Sequence, residues 1–290
     1  MILDLQHSSL TLKEALAKVS EGDTIILGNK TYYEKLEIAK RNITLLGREN
    51  SVISFSASHG TIIPPEMGGD GIKTFGTTGS ATVRICREAK GFTARGITFV
   101  NSFRRNGGKN GQAVAFKAEA DDVFLDTCRF ISEQDTLYMD YGKNNLIRNS
   151  YIEGDVDFIF GSADCIFDKC IAAGKNIMGK VYFTAPDTYA SNLYGFMFYR
   201  CQFKTINEPQ AYLGRAWYPS GALEPVYPKE AFIECSFADN IGLELIPMHS
   251  TDPIRHTLVL SDCRYRGMAV SAGNLEEKTW NYLFQRIQSD

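Results

Sequence analysis

Gln134-Asp135 and Asp157 are the residues of this chain whose types and spacing first suggest chemistry: two carboxyl groups 22 residues apart, one of them preceded by a carboxamide. In a coiled sheet where each turn stacks on the last, residues one turn apart face the same way, about 5 Å apart as in any pair of neighbouring strands. A turn of that length sets the two acids side by side on one outward strip. Gln112, 23 residues before Asp135, then joins them one turn lower. Adjacent carboxyl groups share a proton because both cannot ionise cheaply, and carboxamide N–H groups stabilise an oxyanion. The combination suits acyl transfer.

The elements that must position these groups are visible as a repeat. Residues 123–130, 146–152, 166–172, 196–203, 231–237 and 258–265 follow one short strand pattern, and Cys128, Ser150, Cys170, Cys201, Cys235 and Cys263 occupy the same place in it. Gly96, within residues 92–99, reads as an earlier member, which gives spacings of 32, 22, 20, 31, 34 and 28 residues. Self-similarity at that period, with period-2 strands and no helix in each unit, predicts an all-β solenoid with loops of unequal length. A β-sandwich also uses short alternating strands, but has no reason to place five of seven cysteines at one repeat position. An inner ladder of small buried residues does. The cysteines are expected to be reduced and structural, with Cys86 and Cys165 at other apolar positions.

Length and composition bound the rest. A chain of 290 residues, 44% hydrophobic and without a Gly/Ser/Pro-rich or charged linker, is expected to form a single domain over 1–290 and to act as a monomer. A net charge of −3 offers nothing to nucleic acid or to an anionic membrane. No apolar run reaches the roughly 20 residues of a membrane span, and no signal segment opens the sequence. A cytoplasmic location is therefore expected, or secretion if a signal was removed. Thr11-Leu12-Lys13-Glu14 is a capping box that starts a short amphipathic helix, and Asn274 with Glu277 starts a second, with Leu275, Leu283, Phe284 and Ile287 on one face. Both are expected to cap the solenoid, whose open strand edges need cover. The four histidines His7, His59, His249 and His256 lie outside every dense motif and have no metal-ligand spacing. There is no Gly-x-Ser-x-Gly elbow, phosphate loop or Cys-x-x-Cys pair. No metal and no cofactor are expected, and a hydrolase built this way runs on carboxylates.

Four stretches in order, Gln112-Ala113-Val114-Ala115-Phe116, Gln134-Asp135-Thr136-Leu137-Tyr138, residues 154–161 (Gly-Asp-Val-Asp-Phe-Ile-Phe-Gly) and Tyr212-Leu213-Gly214-Arg215-Ala216-Trp217, resemble the pectin methylesterases. The resemblance runs from about Thr31 to Tyr265. It implies a right-handed parallel β-helix that hydrolyses C6 methyl esters of galacturonate in pectin or methylated oligogalacturonides. It further implies Asp157 as nucleophile, Asp135 as general acid and base, Gln112 and Gln134 as oxyanion donors, and Arg215 as the partner of Asp157. Trp217, Tyr138, Phe160 and Val156 would line the sugar groove.

Independently of any family, the acid beside an arginine keeps its charge while its neighbour holds the proton. Each residue also has a structural reading, as a surface acid, a side-chain ladder, an ion pair or core packing. A pectate or pectin lyase and a non-catalytic carbohydrate-binding β-helix are the competing functions. A calcium-assisted lyase needs a carboxylate cluster and a base for the C5 proton, and a binder needs only the aromatic residues. Two departures from the family pattern stand out: Lys30 where Gly is usual before Thr31-Tyr32-Tyr33-Glu34, and Ala216 where Pro is usual. Both are expected to alter local backbone or groove shape only. The loops 101–111 and 185–193 match poorly and are expected to set substrate preference.

Overall fold

From Thr24–Ile26 onward, nearly every strand of the computed structural model pairs in parallel with the strand three places later in the chain. The structure describes residues 1–106, 110–177, 179–207, 209–252 and 255–288; of the loop 101–111, residues 107–109 lie outside them. Three strands per coil generate three parallel faces, a parallel β-helix. Alternation along each strand sends one residue into the shared inner column and the next to the outside.

Register makes those columns continuous. On the first face Leu125, Ile147, Phe167, Phe198, Phe232 and Leu260 stack rung upon rung inside the coil. Phe167 lies flat on Phe198 at 4.5 Å, and Phe198 on Phe232 at 4.9 Å. Offset stacks of this kind contribute about 0.5–1.5 kcal/mol each beyond the area they bury.

The cysteine ladder stands at the corner between two faces. Cys128, Cys170, Cys201, Cys235 and Cys263 are buried in the inner core, and all seven cysteines are free thiols. The residue before each ladder position, Thr127, Asn149, Lys169, Arg200, Glu234 or Asp262, has φ between 51° and 55°. A left-handed residue turns the chain sharply from one strand to the next. Gly96, with φ 66°, belongs to this turning position and not to the ladder, because Thr98 pairs with Arg129 and so puts Ile97 beside Cys128. The repeat extends back to this coil, one residue out of the expected phase.

The ends are closed differently. Helix Leu12–Lys18 covers the first coil with Leu12 and Ala15, through the expected capping box of Thr11 and Glu14. Glu34 completes its amino terminus, accepting from Leu12 N at 2.7 Å and Lys13 N at 3.0 Å. The Thr31-Tyr32-Tyr33-Glu34 motif is thus a structural one: Tyr32 is buried and its hydroxyl accepts from Gly28 N at 2.8 Å. Lys30 is not among the left-handed residues, so nothing at that position demands glycine. Glu34→Ala is expected to lower stability by about 1 kcal/mol, seen as a lower urea midpoint at unchanged slope. Helix Glu277–Gln288 lies along the outside of the first face, over Phe124, Leu146, Ile166, Met197, Ala231 and Val259. Leu283 is buried there, Trp280 and Tyr282 join it, and Phe284 stays 39% exposed. The last coil is closed by the antiparallel strand Met268–Ala272.

Candidate active site

The third face carries the site. Its strands Phe116–Ala118, Leu137–Met139, Val156–Gly161, Lys180–Pro186 and Gln210–Ala216 pair in sequence. Leu137 pairs with Ile159 and Tyr138 with Phe160, an offset of 22 residues. The ladder continues down to the acids, where Asp135 N donates to Val156 O at 3.1 Å. Asp135 and Asp157 therefore stand on adjacent rungs, about 4.8 Å of strand spacing apart. Both side chains face the same outer cleft of about 320 Å³.

Two local distortions aim them. Asp135 has φ 63° and Asp157 φ 51°, left-handed values that non-glycine residues adopt at a cost and that cluster at functional sites. The pairing also slips between Val156–Tyr182 and Ile159–Thr184, which leaves one extra residue at Asp157-Phe158. This bulge turns the Asp157 carboxylate out of the regular alternation. Gly161 ends the strand with φ 122°, and a Cβ there would lie 2.0 Å from Met139 O. That close approach explains the glycine after Phe-Ile-Phe.

Gln112 sits somewhat differently from its expected place. Ala113 N donates to Gln134 O at 3.0 Å, which sets Gln112 opposite Gln134 and not opposite Asp135. The two carboxamides thus neighbour one another along the cleft. Gln112 Oε1 is buried without a hydrogen-bond partner among the described residues.

Arg215 holds Asp157 in both hands. Its Nε donates to Oδ1 at 3.0 Å and its Nη2 to Oδ2 at 2.5 Å, the fork geometry that an arginine makes with a carboxylate. The guanidinium also lies 4.5 Å over the Tyr182 ring, which stacks on Tyr212. Burial pushes the carboxyls of both acids up. At Asp157 the hydrogen bonds and charge of Arg215 work against that rise, whereas the charge of Asp157 itself drives Asp135 further up. Asp157 therefore ionises first, and Asp135 holds the proton.

An aromatic wall borders the acids. Tyr138 stacks on Phe160 at 4.0 Å, and the Phe160 and Trp217 rings are 6.3 Å apart. All three line the cleft, although Phe160 is only 3% exposed and presents little more than an edge. Val156 pairs with Tyr182 and is not among the lining residues. Ala216 is buried opposite Pro247, in a rung that keeps its register without proline at 216.

Other lining residues come from segments without strand periodicity: Thr77 and Thr78 on the short helix Gly76–Gly79, and Met248 and His249 just beyond Ile241–Pro247. His249 thus borders the cleft although it lies outside every dense motif of the sequence. Its neighbours in sequence carry no repeat signal, so only the fold brings it there. Arg105 was also unmarked in sequence, and reaches the Gln134 carboxamide at 2.5 Å.

The pectinesterase family profile matches residues 4–262. The chain belongs to the pectinesterase family. A probable pectinesterase 56 of Arabidopsis thaliana is 32% identical over 244 residues, which cover 77% of each chain. Pectinesterase 31 of the same plant is 37% identical over 154 residues, 52% of this chain and 46% of its own. The matched part spans less than half the length of that relative and of the pectinesterase from Sitophilus oryzae, where it spans 36%. Among solved structures, the pectin methylesterase PemA from Erwinia chrysanthemi superposes with a TM-score of 0.82 at 25% identity, covering 100% of this chain and 96% of that one. A pectin methylesterase from Yersinia enterocolitica gives 0.76 at 26% identity, with 97% and 98% covered. No helix among the described residues of this pectinesterase-family chain is long and apolar enough to cross a membrane.

Proposed function

We propose that this pectinesterase-family protein hydrolyses C6 methyl esters of galacturonate units, in pectin or in methylated oligogalacturonides, and releases methanol. The observation that carries the reading is the unequal pair: Asp157 forked by Arg215, and Asp135 one rung below it with no such fork, in a cleft shared with two carboxamides. The Asp157 carboxylate attacks the ester carbonyl, and the N–H groups of Gln112 and Gln134 hold the resulting oxyanion. As the C–OCH3 bond breaks, Asp135 gives its proton to the departing methoxide and an anhydride to Asp157 remains. Water, losing a proton to Asp135, attacks that anhydride, frees the galacturonate and restores both acids. Trp217 and Tyr138 offer ring surface to the C–H faces of the sugar. A pectin methylesterase has been solved with a hexasaccharide, and it matches this chain at a TM-score of 0.82 and 25% identity, which supports a sugar chain as the substrate here.

One assay separates this reading from its rivals. The protein is incubated with highly methylated pectin and, separately, with polygalacturonate. Methanol without unsaturated product is expected; double-bond absorbance from either polymer would make it a lyase, and neither product would make it a binder.

A further inference from the structure

Arg105 lies outside every motif that marks the site, yet it is buried against it. Its side chain is 8% exposed and forms an ion pair with Asp155, which is fully buried. Asp155 is fixed in turn, since its other oxygen accepts from Val156 N at 2.7 Å. The Arg105 backbone N–H donates to Glu133 Oε2 at 2.6 Å, and its side chain crosses Gly111, where a Cβ would lie 2.3 Å from Arg105 Cδ. The guanidinium is thereby held on a track whose free end, Nη1, donates to Gln134 Oε1 at 2.5 Å.

That last contact settles which way the Gln134 carboxamide faces. A guanidinium has donors only, so the atom it meets must be the oxygen, and the N–H2 group turns the other way. On that side lies the cleft that Gln134 lines together with Asp135 and Asp157. The flipped amide would aim its oxygen at the carboxylates and at the developing oxyanion, a repulsion in place of a hydrogen bond.

We propose that Arg105, anchored on Asp155, is a positioning residue that locks the Gln134 carboxamide with its N–H2 toward the reacting carbonyl. The inference rests on the esterase reading of the cleft. It makes Arg105 act through Gln134, and a double-mutant cycle tests that. Arg105→Gln is expected to lower kcat for methanol release about tenfold with KM little changed, and Gln134→Ala on the order of a hundredfold. The double variant is expected to match Gln134→Ala within about twofold, because an absent carboxamide cannot be misoriented. Losses that multiply in the double variant, or an unchanged kcat in Arg105→Gln, would overturn the proposal. Removing Arg105 strands a buried acid, so Arg105→Gln/Asp155→Asn is made in parallel and thermal midpoints are recorded for all. The side-chain amide NMR signal of Gln134, assigned through Gln134→Ala, gives a readout independent of turnover. It is expected to shift in both Arg105 variants, and an unmoved signal would count against the lock. A wild-type protein that releases no methanol while that signal shifts would sink the esterase reading and leave the lock standing.

Discussion

Asp157→Ala is expected to lower methanol release by about ten-thousandfold or more, the scale on which hydrolases lose rate with their nucleophile. The reason is that no other group in the cleft can replace it. Asp135 is the nearest carboxyl, but it receives neither of the two Arg215 hydrogen bonds and holds the proton that the leaving methoxide needs. Each glutamine supplies one oxyanion donor, and loss of one costs on the order of a hundredfold. Asp157→Asn keeps the shape of the side chain without its nucleophilic charge and is expected to fall as far, which separates chemistry from packing. The same ordering of the acids sets the pH profile. Activity requires Asp157 ionised, so it falls as pH drops through the lower apparent pKa of the pair. It requires Asp135 protonated, so it falls again as pH rises through the higher one. Methanol release at the wild-type rate from Asp157→Ala, or a rate that stays flat into strong acid, would contradict the assignment.

The 22-residue interval between Asp135 and Asp157 was legible because register in a coiled sheet is an integer count, and any two residues one coil apart must share a face. The cysteine ladder was legible for the same reason. Gly96 was misread by one residue because glycine resembles the small ladder residues in size, whereas its place is defined by φ, which side-chain pattern does not record. Gln112 was placed opposite Asp135 by counting, but the pairing offset falls to 21 residues by Phe116 and Leu137, so the count does not hold across the whole coil. Asp157 carries a bulge that no hydrophobic pattern reports, since one inserted residue leaves the inward set almost unchanged. Thr77 and Thr78 reach the site from a one-turn helix, and His249 and Arg105 from loops, where spacing along the chain says nothing about distance in space. The strands announce the platform; the loops that close over it do not.

A second large effect is expected in stability, from a residue in the inner column. Glu230 pairs in register with Phe196 on one side and Leu258 on the other, and is 1% exposed. Neither carboxyl oxygen has a hydrogen-bond partner among the described residues, and the nearby Thr184 hydroxyl donates to Leu213 O at 3.0 Å. Burial pushes this carboxyl up from 4.5 to about 8, with Thr184 the one influence in the other direction. A raised acid is protonated in the folded state where the unfolded chain has already ionised. Its contribution is fully present below pH 4.5 and is lost as pH rises toward 8, because unfolding then releases a proton. The slope is about 1.4 kcal/mol per pH unit, and the loss is complete above pH 8 at roughly 5 kcal/mol. Glu230→Gln, which cannot ionise, is expected to abolish that part of the slope and to be the more stable protein at pH 9. Urea unfolding of both proteins at pH 5, 7 and 9 measures the difference, in which the other buried acids cancel. Equal slopes in the two proteins would show that Glu230 ionises in the folded state as readily as in the unfolded chain, and would overturn the raised pKa. The position matters for the site, since Thr184 occupies the rung between Ile159 and Gly214, next to the strands of Asp157 and Arg215. A charge forced into the column there loosens the platform that holds the arginine fork, so alkaline loss of activity should follow the wild-type stability curve more steeply than that of Glu230→Gln.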